Sequence, residues 1–147
     1  VVTINDTFDR FVLKAELTID EKREPIPYFD TLHHLTGGIG RNLGKGFSDA
    51  EIDFMFSNDV TAACLDLDTH AAWWRKLPQP QQRVMVNLCF NMGWPRFSGF
   101  VKFLAAMEAF DWPRAAAELK DSLWYSQVRD RGPRVVARLL AAPGAVA

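Results

Sequence analysis

Glu21, Asp30 and Thr36 are the residues with most to offer chemically, and glycines at 37, 38 and 40 stand directly behind them. Glu21 ends an apolar-periodic run and is preceded by Asp20. Asp30 lies beyond Pro25 and Pro27, after the aromatic pair Tyr28-Phe29. Two carboxyl groups on different elements, with a turn between them, can face each other across a cleft. Cleavage of a glycosidic bond needs such a pair: one carboxyl protonates the leaving oxygen, the other activates water or attacks the sugar carbon. Taken singly, each residue is ordinary. Asp and Glu are mostly surface groups, and a Thr before glycines is a common turn hydroxyl.

The elements that must position these residues follow from periodicity and breakers. A first helix is expected over about 6–22, capped by Asp6 or Thr7, with Phe8, Phe11, Val12, Ala15 and Ile19 on one face. Pro25 and Pro27 stop it near residues 21–24, which puts Glu21 in its last turn. Pro27 to Asn42 reads as a small antiparallel hairpin: Tyr28-Phe29, a polar tip at Leu32 to His34, then Leu35 to Ile39. Its glycines allow positive φ and close backbone approach, and Gly44 and Gly46 continue the loop. Two strands alone are too few to stand by themselves.

The remainder reads as helical. Ser48-Asp49-Ala50-Glu51 is a capping box, followed by Ile52, Met55, Phe56, Val60 and Cys64 as an inner side. Asp68-Thr69 reads as a restart ahead of Trp73, Trp74 and Leu77. The run from Pro80 to Met92 is apolar nearly all round and is the expected central buried helix, ended by Gly93 and Pro95. Phe100, Phe103, Leu104 and Met107 mark the next helix. Asp111-Trp112-Pro113 opens another, with Ala116 and Leu119 inward. Gly132-Pro133 opens the last, through Val135, Val136, Leu139 and Leu140, with a frayed tail after it.

With 147 residues, 48% of them apolar and 12% aromatic, one domain over 1–147 with a continuous core is expected. A net charge of −1 gives no global attraction for nucleic acid. No apolar run reaches bilayer length and no signal-peptide pattern opens the chain, so no membrane insertion is expected. The chain starts at Val1 rather than Met, which reads as processing or excision from something longer. Arg129, Arg131, Arg134 and Arg138 stand against Asp130 alone near the C-terminus. That face either draws an anionic polymer such as a cell wall or is a solvated face balanced by the acidic stretch from Ser48 to His70. Cys64 and Cys89 read as buried thiols before a disulfide, and metal ligands last. His33, His34 and His70 lack a metal-ligand set, and the first two read as hairpin-tip side chains in water. Trp73, Trp74, Trp112 and Trp124 read as core; Trp94, in the loop after Gly93, is the candidate for sugar stacking.

The series Asp20-Glu21, Tyr28-Phe29-Asp30-Thr31, Thr36 and Gly38-Ile39-Gly40 resembles the phage-type lysozymes. A second block supports it: Asn87-Leu88-Cys89-Phe90-Asn91-Met92-Gly93, then Phe97, Gly99 and Phe100. Trp112, Ser122-Leu123-Trp124-Tyr125, Gln127, Arg129, Arg131 and Arg134 follow in order. The resemblance covers most of the chain. It implies a fold that is α+β and predominantly helical, with two lobes: a hairpin lobe at about 25–46 and a helical lobe at about 68–142 plus the N-terminal helix. Sugars would bind in the cleft between them. It further implies a glycoside hydrolase, a muramidase cleaving the β-1,4 bond between N-acetylmuramic acid and N-acetylglucosamine with inversion. Glu21 would be the acid, and Asp30 with Thr36 would hold the water, the carboxyls ~6.5–9.5 Å apart. Phe90, Asn91 and Asn42 would bind sugar, Arg131 and Asp20 would support the site, and no metal or cofactor is called for. The partner would be peptidoglycan glycan strands, met as a monomer. The setting would be the host cytoplasm before release to the wall, or a virion if the chain is part of a larger phage protein. Lys22 stands where the family has a glycine, Arg41 where it often has a histidine of a structural ion pair, and Pro133 where it has a basic residue; Leu32-His33-His34 alters the tip. Competing readings are a lytic transglycosylase, for which a second carboxylate is superfluous, and a non-catalytic wall-binding or structural module.

Overall fold

In the computed structural model, which describes residues 9–21 and 23–141, Asp9 opens the first helix, α1 (Arg10–Asp20). Its carboxylate accepts from the amides of Phe11 and Val12 at 2.8 and 3.2 Å. The caps expected at Asp6 or Thr7, and Phe8, lie outside the described residues. The apolar stripe of α1 enters no core: Phe11 is 82% exposed and Ile19 80%.

The chain turns at Glu21 directly into β1 (Arg23–Phe29). Pro25 and Pro27 end the helix but do not prevent the strand, because β1 is at the sheet edge, where a missing N–H is tolerated. Its pairing with β2 (Leu35–Ile39) is antiparallel and slips between Glu24 and Tyr28; beyond the slip Tyr28 faces Thr36 and Phe29 faces Leu35. The expected two-stranded hairpin gains a third strand, β3 (Arg41–Asn42), which sets Asn42 opposite Thr36. Gly40, at φ 63°, makes the tight reversal between β2 and β3. A single 3-10 turn, Leu43–Lys45, follows.

The capping box forms as read. The Glu51 amide donates to Ser48 Oγ at 3.3 Å, and the Ser48 amide donates to Glu51 Oε2 at 2.7 Å. The helix it starts, α2 (Asp49–His70), runs unbroken through the expected restart. Thr69 bonds back to the Leu65 carbonyl at 2.8 Å. Asp68 instead clamps the 3-10 turn Ala72–Lys76, accepting from Trp74 Nε1 and, bidentately, from Arg75. The inner side of α2 is also not the one expected. Ala63 and Leu67 are buried, while Ile52, Met55 and Phe56 are exposed.

Two compact units result, Val1–Ile52 and Asp53–Ala147. The second is all helical and is built round α3 (Gln79–Met92), which starts with Pro80 in its first turn and ends at Gly93, φ 74°. α3 buries Gln81, Val84, Met85, Leu88 and Cys89 but leaves Phe90 42% exposed, so it is central without being enclosed on every side. Next come α4 (Trp94–Phe97), where a loop was expected, α5 (Val101–Glu108) and α6 (Trp112–Lys120), capped by Asp111. α7 (Leu123–Gln127), capped by Ser122, and α8 (Arg131–Leu139) complete the unit. Phe97, Phe103, Met107, Leu119, Trp124, Val135 and Leu139 fill the core, each such side chain contributing roughly 1.5–3 kcal/mol of burial. Leu140, expected within the last helix, caps its end and is exposed. Buried Gln81 donates through Nε2 to the Leu139 carbonyl at 2.7 Å, satisfying an otherwise open group at the end of α8.

The fold is therefore α+β and predominantly helical, a small sheet followed by helices. Among the described residues no helix is long and apolar enough to cross a membrane. Both cysteines are free, Cys89 buried and Cys64 half-buried, and burial pushes the Cys89 thiol up to about 11.

Candidate active site

Glu21 is the C-cap of α1, its amide bonded to the Leu17 carbonyl at 2.9 Å. That places its side chain against the β2–β3 reversal. A Cβ at Gly40 would lie 2.6 Å from Glu21 Oε2 and 2.9 Å from its Cδ, so the carboxylate rests on bare backbone. Glu21 shares a hollow of about 480 Å³ with Asp20, Glu24 and Tyr28.

Asp30 follows directly on β1 and folds the hairpin tip around itself. Its Oδ1 accepts from the amides of Leu32 and His34, both at 2.8 Å, an Asx turn extended by one further donor. Two backbone bonds of 3.0 Å, His33 to the Asp30 carbonyl and Asp30 to the His34 carbonyl, close the tip, with His33 at φ 62°. The other oxygen, Oδ2, stands 3.4 Å from His34 Nδ1. The His34 amide is the largest influence holding the Asp30 carboxyl below the usual carboxylate range; desolvation opposes it, and the Leu32 amide and His34 imidazole reinforce it. Asp30 is thus kept as an anion.

Thr36 is 5% exposed, and its hydroxyl donates to the His34 carbonyl at 3.0 Å. Tyr28 on one side and Asn42 on the other sit directly opposite it, so the three side chains share one sheet face. The structure brings Asp20 and Glu21 together in the hollow, and Asp30 and Thr36 together through His34. Asp30 and Thr36 are not among the residues that line the hollow. Asn42 directs its side-chain oxygen at the Gly44 amide, 2.9 Å away, capping the 3-10 turn.

The remaining sequence candidates lie in the helical unit. Phe90 and Arg131 border a groove of about 520 Å³ together with Phe56, Val60, Cys64 and Val86. Phe90 meets Phe56 edge-on, ring centres 6.0 Å apart. Arg131 donates through Nε and Nη2 to Asn87 Oδ1 at 3.2 and 2.9 Å. Asn91 accepts from the buried Trp124 indole at 2.7 Å. Trp94 begins α4 and is stacked on His70, centres 5.1 Å apart and planes within 4°.

One departure from the expected pattern finds an account. Arg41, expected to cost an ion pair and add a basic group, instead pairs with Glu51. It also donates to the Gly46 carbonyl at 2.9 Å and lies over the Phe47 ring. The Arg41 guanidinium, reinforced by the Ser48 amide, draws the Glu51 carboxyl down to about 2. Lys22 lies outside the described residues. His34 is the site residue that motif reading passed over as a participant, and Gly40, read there as a close-approach glycine, was not read as the seat of Glu21. The signals available were an Asp four residues before a His across a turn, and a glycine at the reversal. Among the described residues no group of three or more His, Cys, Asp or Glu is placed to hold a metal.

Comparison with known proteins matches no family model. The chain is similar to "Probable T4-type lysozyme 2" of Dictyostelium discoideum, 30% identical, over 84% of this chain and 91% of that protein. "Probable T4-type lysozyme 1" of the same organism is 25% identical over 60% of this chain and 54% of its own length. The "Pre-baseplate central spike protein Gp5" of Enterobacteria phage T4 is 31% identical over 61% of this chain, a match spanning only 16% of the spike protein.

Proposed function

The chain belongs to the T4-type lysozymes, and from that footing we propose that it hydrolyses peptidoglycan glycan strands at the β-1,4 bond between N-acetylmuramic acid and N-acetylglucosamine, with inversion. Glu21 gives its proton to the departing glycosidic oxygen as the bond to the sugar carbon breaks. A water attacks that carbon from the opposite face and passes its proton to Asp30 Oδ2; both carboxyls then return to their starting states by exchange with solvent. Thr36 spends its own hydrogen on the His34 carbonyl. Its oxygen is therefore left as an acceptor that orients the water. No cofactor enters, and residues 1–147 act as one catalytic domain and as a monomer.

The observation that carries the reading is the clamp on Asp30. Internal transglycosylation needs one acid and no second carboxylate, whereas here two amides hold a second carboxylate below the usual range and leave its other oxygen free of backbone donors. The likeness to a central spike protein supports action from a virion over action by a free enzyme released from the host cytoplasm.

The test is mass spectrometry of products from purified peptidoglycan. Wild type is expected to yield reducing-end N-acetylmuramic acid, and Glu21→Gln and Asp30→Asn to lose ~10²–10⁴-fold in rate. Anhydro-sugar ends would mean transglycosylation. An inert wild type that still sediments with the wall would mean a binding module.

A further inference from the structure

Building on the assignment of Asp30 as the water-activating carboxylate, we propose that His34 is its positioning residue: the imidazole, 3.4 Å from the one Asp30 oxygen that the backbone leaves free, governs whether that oxygen is available to water.

A carboxylate has about four lone-pair sites. The Leu32 and His34 amides occupy Oδ1, so a water must use Oδ2. That is the oxygen His34 faces. The separation is within ion-pair reach but longer than the ~2.7–2.9 Å of a charge-assisted hydrogen bond. A neutral imidazole therefore holds Oδ2 loosely, whereas a protonated one draws it in and weakens it as a base. His34 also touches both water-handling groups through its backbone: its amide serves Asp30 and its carbonyl receives the Thr36 hydroxyl. Those contacts survive any change of side chain, so a substitution isolates the imidazole. The charged and titratable side chains on the surrounding elements are Tyr28, Glu24 and Arg23 on β1, Asp30 just after it, His33 in the turn, and Arg41 on β3. Arg41 is already paired with Glu51. Asp30 is the carboxylate that the imidazole faces.

Histidine changes charge between about pH 5 and 8, so wall hydrolysis by the wild type should fall on acidification through that interval. His34→Gln, neutral throughout, should flatten this limb, and His34→Lys, charged throughout, should stay at the low level across it. The Asp30 carboxyl carbon, followed by NMR, should show a step in the same interval that His34→Gln removes. Circular dichroism confirms that each variant is folded. Parallel pH profiles for wild type and His34→Gln, or a carboxyl step that persists in the variant, overturn the inference while leaving the hydrolase assignment standing. A wild type inert on peptidoglycan overturns that assignment, and the carboxyl step still decides whether the imidazole governs Asp30.

Discussion

At Gly40 two demands meet in one residue. The backbone is left-handed there, φ 63°, and the space a Cβ would fill is occupied by the Glu21 carboxylate. Gly40→Ala should cost about 1–2 kcal/mol for the backbone alone. Because an acid displaced by about 1 Å loses on the order of a hundredfold in rate, the variant should lose activity well beyond its loss of stability. Wall turnover read beside thermal unfolding checks this; wild-type turnover would show that Glu21 is not seated on Gly40. Asp30 makes a contrasting case. Its carboxyl type and its place after two prolines were readable in the sequence, but His34 read as a tip side chain in water. The tip folds back on Asp30 because two of its amides need an acceptor and Oδ1 supplies it.

The start of α2 was legible because a capping box is a local event, Ser48 and Glu51 being three residues apart. Its reinforcement by Arg41, ten residues from Glu51, was not, since it depends on how the Gly44–Gly46 loop returns. Glu51 gives a signed prediction. Its folded-state value, about 2, is depressed from the usual 4.5. The stabilisation is therefore full above about pH 4.5 and is lost as pH falls from there towards 2. Glu51→Gln should flatten the acid limb of the melting temperature against pH in that window; an unchanged slope would show that the pair adds nothing to the fold. The short elements β3, α4 and α7 escaped sequence reading because two to five residues hold too little periodicity to register.

For the molecule as a whole, the buried apolar core among the described residues lies wholly within 63–139, in the helical unit. Leu88, fully buried on α3, is its natural probe. Leu88→Ala should lower unfolding free energy by about 2–5 kcal/mol, and Phe90→Ala, on the same helix but 42% exposed, by less. Denaturant titration of both compares them; equal losses would place Leu88 outside the packed centre. The amino-acid sequence by itself determined the α+β class, the helix starts at Ser48 and Asp111, the break before Pro25 and the order of the motif residues; the last helix begins at Arg131, just before the Gly132-Pro133 pair expected to open it. Each of these is decided within a turn or two of chain by caps, prolines, glycines and periodicity. Tertiary structure alone decided that Leu67 rather than Phe56 is buried, that Thr36 lies between Tyr28 and Asn42, that Gln81 seals the end of α8 and that Glu21 rests on Gly40. Those contacts join residues distant along the chain, and no local preference specifies which distant group will fill the space beside a given side chain.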